Sequence, residues 1–206
     1  LLLSTLISIF IFYQFNSIKI SMVFLICLLP LFSIIKELMI DIKLKNNFFK
    51  EKFRRYCSFI IHFGVIIMIM GVSFSSNFEK KYDLTLNEGD EVYVDKLLLK
   101  LNYIYDKETE AKNILGANIS LTDQKKVFNL FPEQNLYKYE GNREINRETE
   151  VAIRSTFIKD YYLILVDKNF EGSLNLKLYI NPLVSFLWIG SLISILGGFL
   201  LLVRRN

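Results

Sequence analysis

Long runs with almost no charge alternate along this chain with one polar stretch, where apolar residues recur at every second position. Residues 1–15 carry no charge, 18–35 carry only Lys19, and 58–76 and 182–203 carry none. A helix rises about 1.5 Å per residue, so about 20 mostly apolar residues cross a hydrocarbon core about 30 Å thick. The last three runs are of that order. The first is short and begins at Leu1 rather than Met, so it is read as a truncated helix whose upstream part is missing. It has neither a basic leading region nor a small-residue cleavage site, and a second apolar run follows at once, which argues against a signal peptide.

Between residues 77 and 181 the period changes to two. Tyr82, Leu84 and Leu86 alternate with polar neighbours, and an Asn-Glu-Gly-Asp turn at 87–90 leads into a strand over 91–94. Leu97, Leu99, Leu101, Tyr103 and Tyr105 alternate in the same way and predict a strand with one buried face. Further strands are expected at 118–122, 125–130, 150–155, 161–167 and 173–179, separated by turn residues such as Asp123, Gly141 and Gly172. Many short strands at this spacing predict a compact antiparallel sheet or a small barrel. The stretch 131–149, with Pro132, Gly141 and several charges, is expected to be a long loop.

The predicted fold is an integral membrane α-helical protein of three to four transmembrane helices carrying an extracytoplasmic all-β domain. Its expected layout is two helices in 1–35, a basic inner loop over 36–57, and a helix bearing His62 over 58–76. An outer β domain over 77–181, a last helix over 182–203 and an inner tail over 204–206 follow.

A hydrophobic content of 52% over 206 residues supports the membrane class. Charge supplies the orientation. Stretch 36–57 holds seven basic residues against three acidic ones, and Arg204 and Arg205 follow the last helix, so both clusters are expected on the cytoplasmic or matrix side. The polar stretch 77–181 carries 15 Lys and Arg against 18 Asp and Glu. The net charge of +4 therefore belongs to membrane-flanking segments and gives no argument for nucleic acid. Cys27 and Cys57 lie far apart and form no CxxC pair, so neither a redox motif nor a zinc site is indicated.

His62 is the single histidine, and it lies inside an apolar run. Hydrocarbon disfavours an imidazole without a partner, so a histidine there is a candidate functional group. Helical spacing puts it on one face with Ser58, Ile66, Ile69 and Ser73, roughly four residues past the inner boundary. Neutral imidazole is a good iron or copper ligand, and a membrane haem is commonly held by one histidine on each of two helices. The alternative is a histidine that only hydrogen-bonds a neighbouring helix. If it does hold a haem, the second axial ligand must come from outside this chain. Gly190, Ser194 and Gly198, with Gly197 beside them, form a small-residue stripe that favours close helix packing. Trp188 is expected as an interface anchor, and Glu148, Glu150 and Asp160 as a solvated acidic face. No phosphate-binding glycine loop, HExxH or GxSxG motif is present.

Arg54-Arg55-Tyr56, then His62-Phe63-Gly64, then Gly71 and Ser75 resemble a late transmembrane helix of the CcmF (CycK) family. In that family an Arg-Arg-Tyr stretch runs into a His-Leu-Gly. Downstream, Leu86-Asn87-Glu88-Gly89-Asp90, Pro132-Glu133 with Tyr137, Thr149-Glu150-Val151-Ala152-Ile153 and Asp160-Tyr161-Tyr162 are similar to family segments in the same order. Asn181-Pro182 through Trp188 and Gly197-Gly198 are similar to its last helix.

The resemblance implies part of the haem lyase of c-type cytochrome biogenesis, which joins haem to the CxxCH cysteines of apocytochrome c. It implies CcmH-like and CcmE-like partners, and a membrane haem b with His62 as one axial ligand. It places the chain in a bacterial inner membrane or a mitochondrial inner membrane, with the β domain in the periplasm or intermembrane space. The family's tryptophan-rich WWD motif, its external histidines and its other intramembrane histidine are absent from this sequence. The expectation is thus a C-terminal fragment or one product of a split gene. The Ile-, Lys-, Asn- and Phe-heavy composition fits an AT-rich genome, mitochondrial or of an intracellular bacterium. The alternative function is a non-catalytic membrane receptor or assembly scaffold whose outer β domain binds a protein.

Overall fold

Apolar runs become helices because only a helix satisfies its own backbone in a medium without water. In a computed structural model, which describes residues 2–15, 17–43, 52–123, 126–139 and 143–203, four helices form. They are α1 (Leu2–Phe15), α2 (Ile18–Lys43), α3 (Phe53–Asn77) and α4 (Val184–Val203). Three of them, α2, α3 and α4, are long and apolar enough to cross a membrane, while α1 is shorter. Helix α1 meets α2 through small polar residues: Ser21 Oγ donates to the Ser8 carbonyl at 2.5 Å, and Ser4 and Ser8 are buried. The chain divides into two compact units, one made of Leu1–Phe78 with Pro182–Asn206, the other of Glu79–Asn181.

The second unit is all β. Strands β1 (Lys80–Leu86), β2 (Glu91–Val94), β3 (Leu97–Glu108), β4 (Lys112–Asp123) and β5 (Lys126–Leu130) come first. Strands β6 (Glu133–Tyr139), β7 (Arg143–Glu150), β8 (Ala152–Ser155), β9 (Lys159–Lys168) and β10 (Leu174–Pro182) complete it. They form a four-stranded sheet ordered β1-β10-β9-β8 and a six-stranded sheet ordered β2-β3-β4-β6-β7, with β5 also on β4. Of the two expected forms, the antiparallel sheet is the one adopted, as a pair of sheets and not a closed barrel. One core joins them: Leu99, Leu101, Ile119 and Leu121 from the larger sheet are buried with Leu163, Leu165, Leu174, Leu176 and Leu178 from the smaller.

Strand β3 departs from strict alternation. Leu97, Leu99 and Leu101 point into the core as expected, but the pairing with β4 shifts between Leu101 and Tyr103. A shift of one residue turns the following side chains to the other face. Tyr103 is therefore 49% exposed rather than on the buried stripe. Asn102 at the shift bonds Asn118 at 3.0 Å and Ser120 at 2.7 Å.

The polar stretch 131–149, expected as a long loop, is instead largely a hairpin. Strand β6 pairs with β7 and also with β4, where Gly116 stands opposite Glu133. Apolar periodicity misses it because polar side chains fill the buried positions. Gln134 Nε2 donates to the Val166 carbonyl at 2.6 Å, and Asn135 Nδ2 donates to Glu150 at 2.8 Å. Gly141, expected as a turn residue, lies outside the described residues, as does Lys125 at the start of the strand expected over 125–130.

Candidate functional site

Helix α3 carries two different faces. One face meets α4 through positions separated alternately by four and three residues: Cys57, Ile61, Gly64, Met68 and Gly71. On α4 the matching positions are Leu187, Gly190, Ser194 and Gly197, run in the opposite direction. This four-three spacing is the seam of two helices that pack at a shallow angle. The helices come close because these positions lack bulk. A Cβ on Gly190 would lie 2.5 Å from the Gly64 carbonyl oxygen, and one on Gly64 would meet Ser194 Oγ. Ser194 Oγ also bonds the Ile61 carbonyl across the seam at 3.2 Å. Of the expected stripe, Gly190 and Ser194 are at this seam, but the third member is Gly197. Gly198 has open space around it, because the seam advances by three residues where the sequence reading advanced by four.

His62 is not among the α3 residues nearest the glycines of α4. It stands on the exposed side, while Ile66 one turn along the same stripe is buried. Its Nδ1 lies 2.7 Å from the Ser58 carbonyl oxygen of its own helix. A carbonyl can only accept, so Nδ1 is the donor in this contact, and in the neutral ring that leaves the lone pair on Nε2. An imidazole oriented through one nitrogen and presenting the other is the arrangement of a metal-ligating histidine. The ring fits an axial ligand of haem in donor type, tautomer and access, and it brings one ligand only.

At the start of α3 the structure brings together residues that sequence reasoning did not connect. Asp41, in the last turn of α2 and 2% exposed, accepts from Lys52 Nζ at 2.5 Å and from Tyr56 Oη at 3.0 Å. Arg55 reaches Asp41 at 4.0 Å and pairs with Glu37 one turn back. The basic stretch is thus tied to α2 by two carboxylates, in addition to any orienting role. A signal was available: Asp41 interrupts Leu38, Met39, Ile40 and Ile42, and a carboxylate among apolar residues needs a cationic partner.

In the β unit the acidic residues divide. Glu148 accepts from Asn146 at 3.3 Å, whereas Asp160 is buried beside the Tyr162 hydroxyl. Glu150 is held by Asn135 and faces Lys112 at 4.0 Å. Glu133 accepts from the Tyr105 hydroxyl at 2.6 Å, and the Tyr105 ring lies so close over Gly116 that no side chain fits there. Burial first, and then the Glu133 carboxylate, push the Tyr105 hydroxyl well above its usual range, so it stays a neutral donor.

No protein-family model matches the chain. Cytochrome c-type biogenesis protein CcmF of Escherichia coli is 31% identical over 144 residues, which are 68% of this chain and 21% of that protein. CcmF of Haemophilus influenzae is 29% identical over 150 residues, 71% of this chain and 22% of that protein. The chain belongs to the CcmF family. It spans about a fifth of the length of the curated relatives it matches. The fold is that of the solved structure of cytochrome c haem lyase CcmF, with a TM-score of 0.70 over 98% of this chain and 34% of that one, at 18% identity. The resemblance drawn from Arg54-Arg55-Tyr56, His62 and the segments after them therefore stands, as a C-terminal part of CcmF. It is a membrane protein whose relatives act in cytochrome c-type biogenesis.

Proposed function

We propose that this chain is one part of a haem lyase of c-type cytochrome biogenesis, and that His62 is an axial ligand of a membrane haem b. The observation that carries the reading is the His62 ring, with Nδ1 tied to the Ser58 carbonyl and Nε2 presented on the exposed side of α3. Bound haem supplies one-electron chemistry at its iron. The chain's own residues hold and orient: the Ser58 carbonyl takes the Nδ1 side of the ring, and the seam with α4 holds α3 in place. The second ligand comes from another segment or chain, because this sequence has a single histidine.

In this reading the basic 36–57 stretch lies on the cytoplasmic or matrix side and the β unit in the periplasm or intermembrane space, following the excess of Lys and Arg. The β unit is the part available to CcmH-like and CcmE-like proteins and to apocytochrome c.

The test is His62→Ala in the complex reassembled with the remaining parts of the lyase. We expect loss of haem from the purified complex and loss of covalent c-type cytochrome, with apocytochrome export unchanged. Added imidazole should restore haem to His62→Gly, a rescue that a merely packing histidine would not show. Normal haem content in His62→Ala would defeat the assignment and favour the scaffold alternative.

A further inference from the structure

The turn joining β9 to β10 is braced by polar groups around one exposed apolar residue. The Asn169 N–H donates to the Ser173 carbonyl at 2.8 Å, and the Gly172 N–H donates to the Asn169 carbonyl at 3.0 Å. Asn169 Nδ2 bonds Ser173 Oγ at 3.1 Å. Asn175 Nδ2 donates to Asn169 Oδ1 at 2.8 Å and to Asp167 Oδ1 at 2.6 Å, which ties the turn to both strands. Gly172, at a φ of 92°, supplies the left-handed residue. Phe170 stands fully exposed on this turn. Turns favour Asn, Asp, Gly or Ser, so nothing in the backbone asks for a phenylalanine there.

Beside this turn the β unit has an open cleft of about 440 Å³, shared with the turn at 87–90 and with strand β3. Strand β1 pairs with β10 as far as Leu86 opposite Leu174, which sets the two turns side by side. Carboxylates dominate the cleft. Glu88, Asp106 and Glu171 line it against the one ammonium of Lys168, with Ile104 as its apolar member. Glu88 is held in place by the Ile104 N–H, and Asp106 pairs with Lys168 at 3.4 Å. Three carboxylates against one ammonium leave the cleft negative. Glu171, exposed, directly follows Phe170, so apolar surface and negative charge adjoin.

We infer that Phe170 and the acidic cleft form a docking surface for an extended, basic polypeptide segment. Phe170 packs on an apolar side chain of that segment, and Glu88 and Glu171 face its lysines or arginines. Charge selects this occupant: a negative cleft attracts a cationic chain and repels an acidic one or a surface of phosphates. The braced turn favours it too, because an aromatic held in place loses little freedom on binding, and such aromatics are common anchors of protein interfaces. The surface gives the proposed meeting of the β unit with other proteins a place and a partner chemistry. It rests on that part of the proposed function and not on haem at His62.

The experiment uses the full chain in phosphatidylcholine nanodiscs and a short fluorescent peptide repeating Lys-Gly-Leu-Gly, read by anisotropy against empty nanodiscs. We expect saturable binding of this peptide, much weaker binding of Lys-Gly-Ser-Gly and none of Glu-Gly-Leu-Gly. Phe170→Ser and Glu171→Lys should each weaken binding about tenfold. Both positions are exposed, so circular dichroism should show both variants folded. Tyr93→Ser, at an aromatic 78% exposed on β2, should leave binding unchanged. Absence of binding, native affinity in Phe170→Ser, or the same loss in Tyr93→Ser would overturn the docking surface. Self-association of the native chain that Phe170→Ser abolishes would assign the patch to a second copy and overturn it as well. His62→Ala should bind the peptide like the native chain, which keeps failure here distinct from failure of the haem reading.

Discussion

The carbonyl oxygen of Gly64 lies 2.5 Å from where a side chain on Gly190 would begin. Two helices can hold that approach only while both positions lack a Cβ. We predict that Gly64→Ala forces α3 and α4 apart and costs about 1–3 kcal/mol, the usual range for overpacking. Gly198→Ala, where the space is open, should be neutral or mildly stabilising. Unfolding of both variants in detergent, followed by circular dichroism, compares them. Equal losses would show that the seam is not where the glycines place it.

Asp41 gives a second expectation. It is the shared acceptor of Lys52 and Tyr56, so removing it takes one buried carboxylate contact from each of them. Asp41→Ala should lower the unfolding temperature of the helical unit more than Glu37→Ala does, because Glu37 is 40% exposed and its pair with Arg55 is screened by water. Thermal unfolding of the two variants side by side is the measurement, and a larger effect at Glu37 would reverse the order.

The Lys80–Asp95 pair makes stability depend on pH with a definite sign. Hydrogen bonds from Lys80 and then Tyr82 hold the Asp95 carboxyl below its usual range, while Asp95 raises the Lys80 ammonium. The contribution of Asp95 is present above the ordinary aspartate range and fades as pH falls through its lowered value. That of Lys80 is present below the ordinary lysine range and fades as pH rises through its raised value. The stability difference between the native chain and Asp95→Asn should therefore be flat near neutrality and shrink in acid. A difference that grew on acidification would refute the pairing.

Tyr161 is 1% exposed and donates to Asp123 at 2.7 Å. Burial, followed by the Asp123 hydrogen bond and charge, raises its hydroxyl well above the ordinary tyrosine range, so the folded state holds it neutral. We predict that Tyr161→Phe costs about 1–3 kcal/mol in chemical denaturation, since it removes a hydrogen bond to a charged group from a buried site. No change in the midpoint would show that the bond is not formed in solution.

What the sequence disclosed followed from where apolar residues repeat. Leu174, Leu176 and Leu178 alternate because one face of β10 is core, and the uncharged runs are helices because a single segment satisfies its own backbone in lipid only as a helix. Where polar atoms carry the structure, periodicity was silent. Gln134 and Asn135 are buried without being apolar, so β6 looked like a loop. The bulge at Asn102 turned Tyr103 outward by a local register shift that no side-chain pattern announces. At the candidate site the residue type of His62 was legible. Its tautomer, set by the Ser58 carbonyl, and the Asp41 cluster depend on three-dimensional approach.

The pairing of Lys80 with Ile180 has a consequence for how the chain folds. Adjacent antiparallel strands hold their Cα atoms about 5 Å apart, so the two ends of a β unit of about a hundred residues are neighbours once β1 and β10 join. The same two ends are drawn together independently when α3 and α4 close their glycine seam. Each event shortens the search for the other, much as a cross-link removes loop entropy from an unfolded chain. Loosening Gly64 against Gly190 should therefore slow the pairing of β1 with β10.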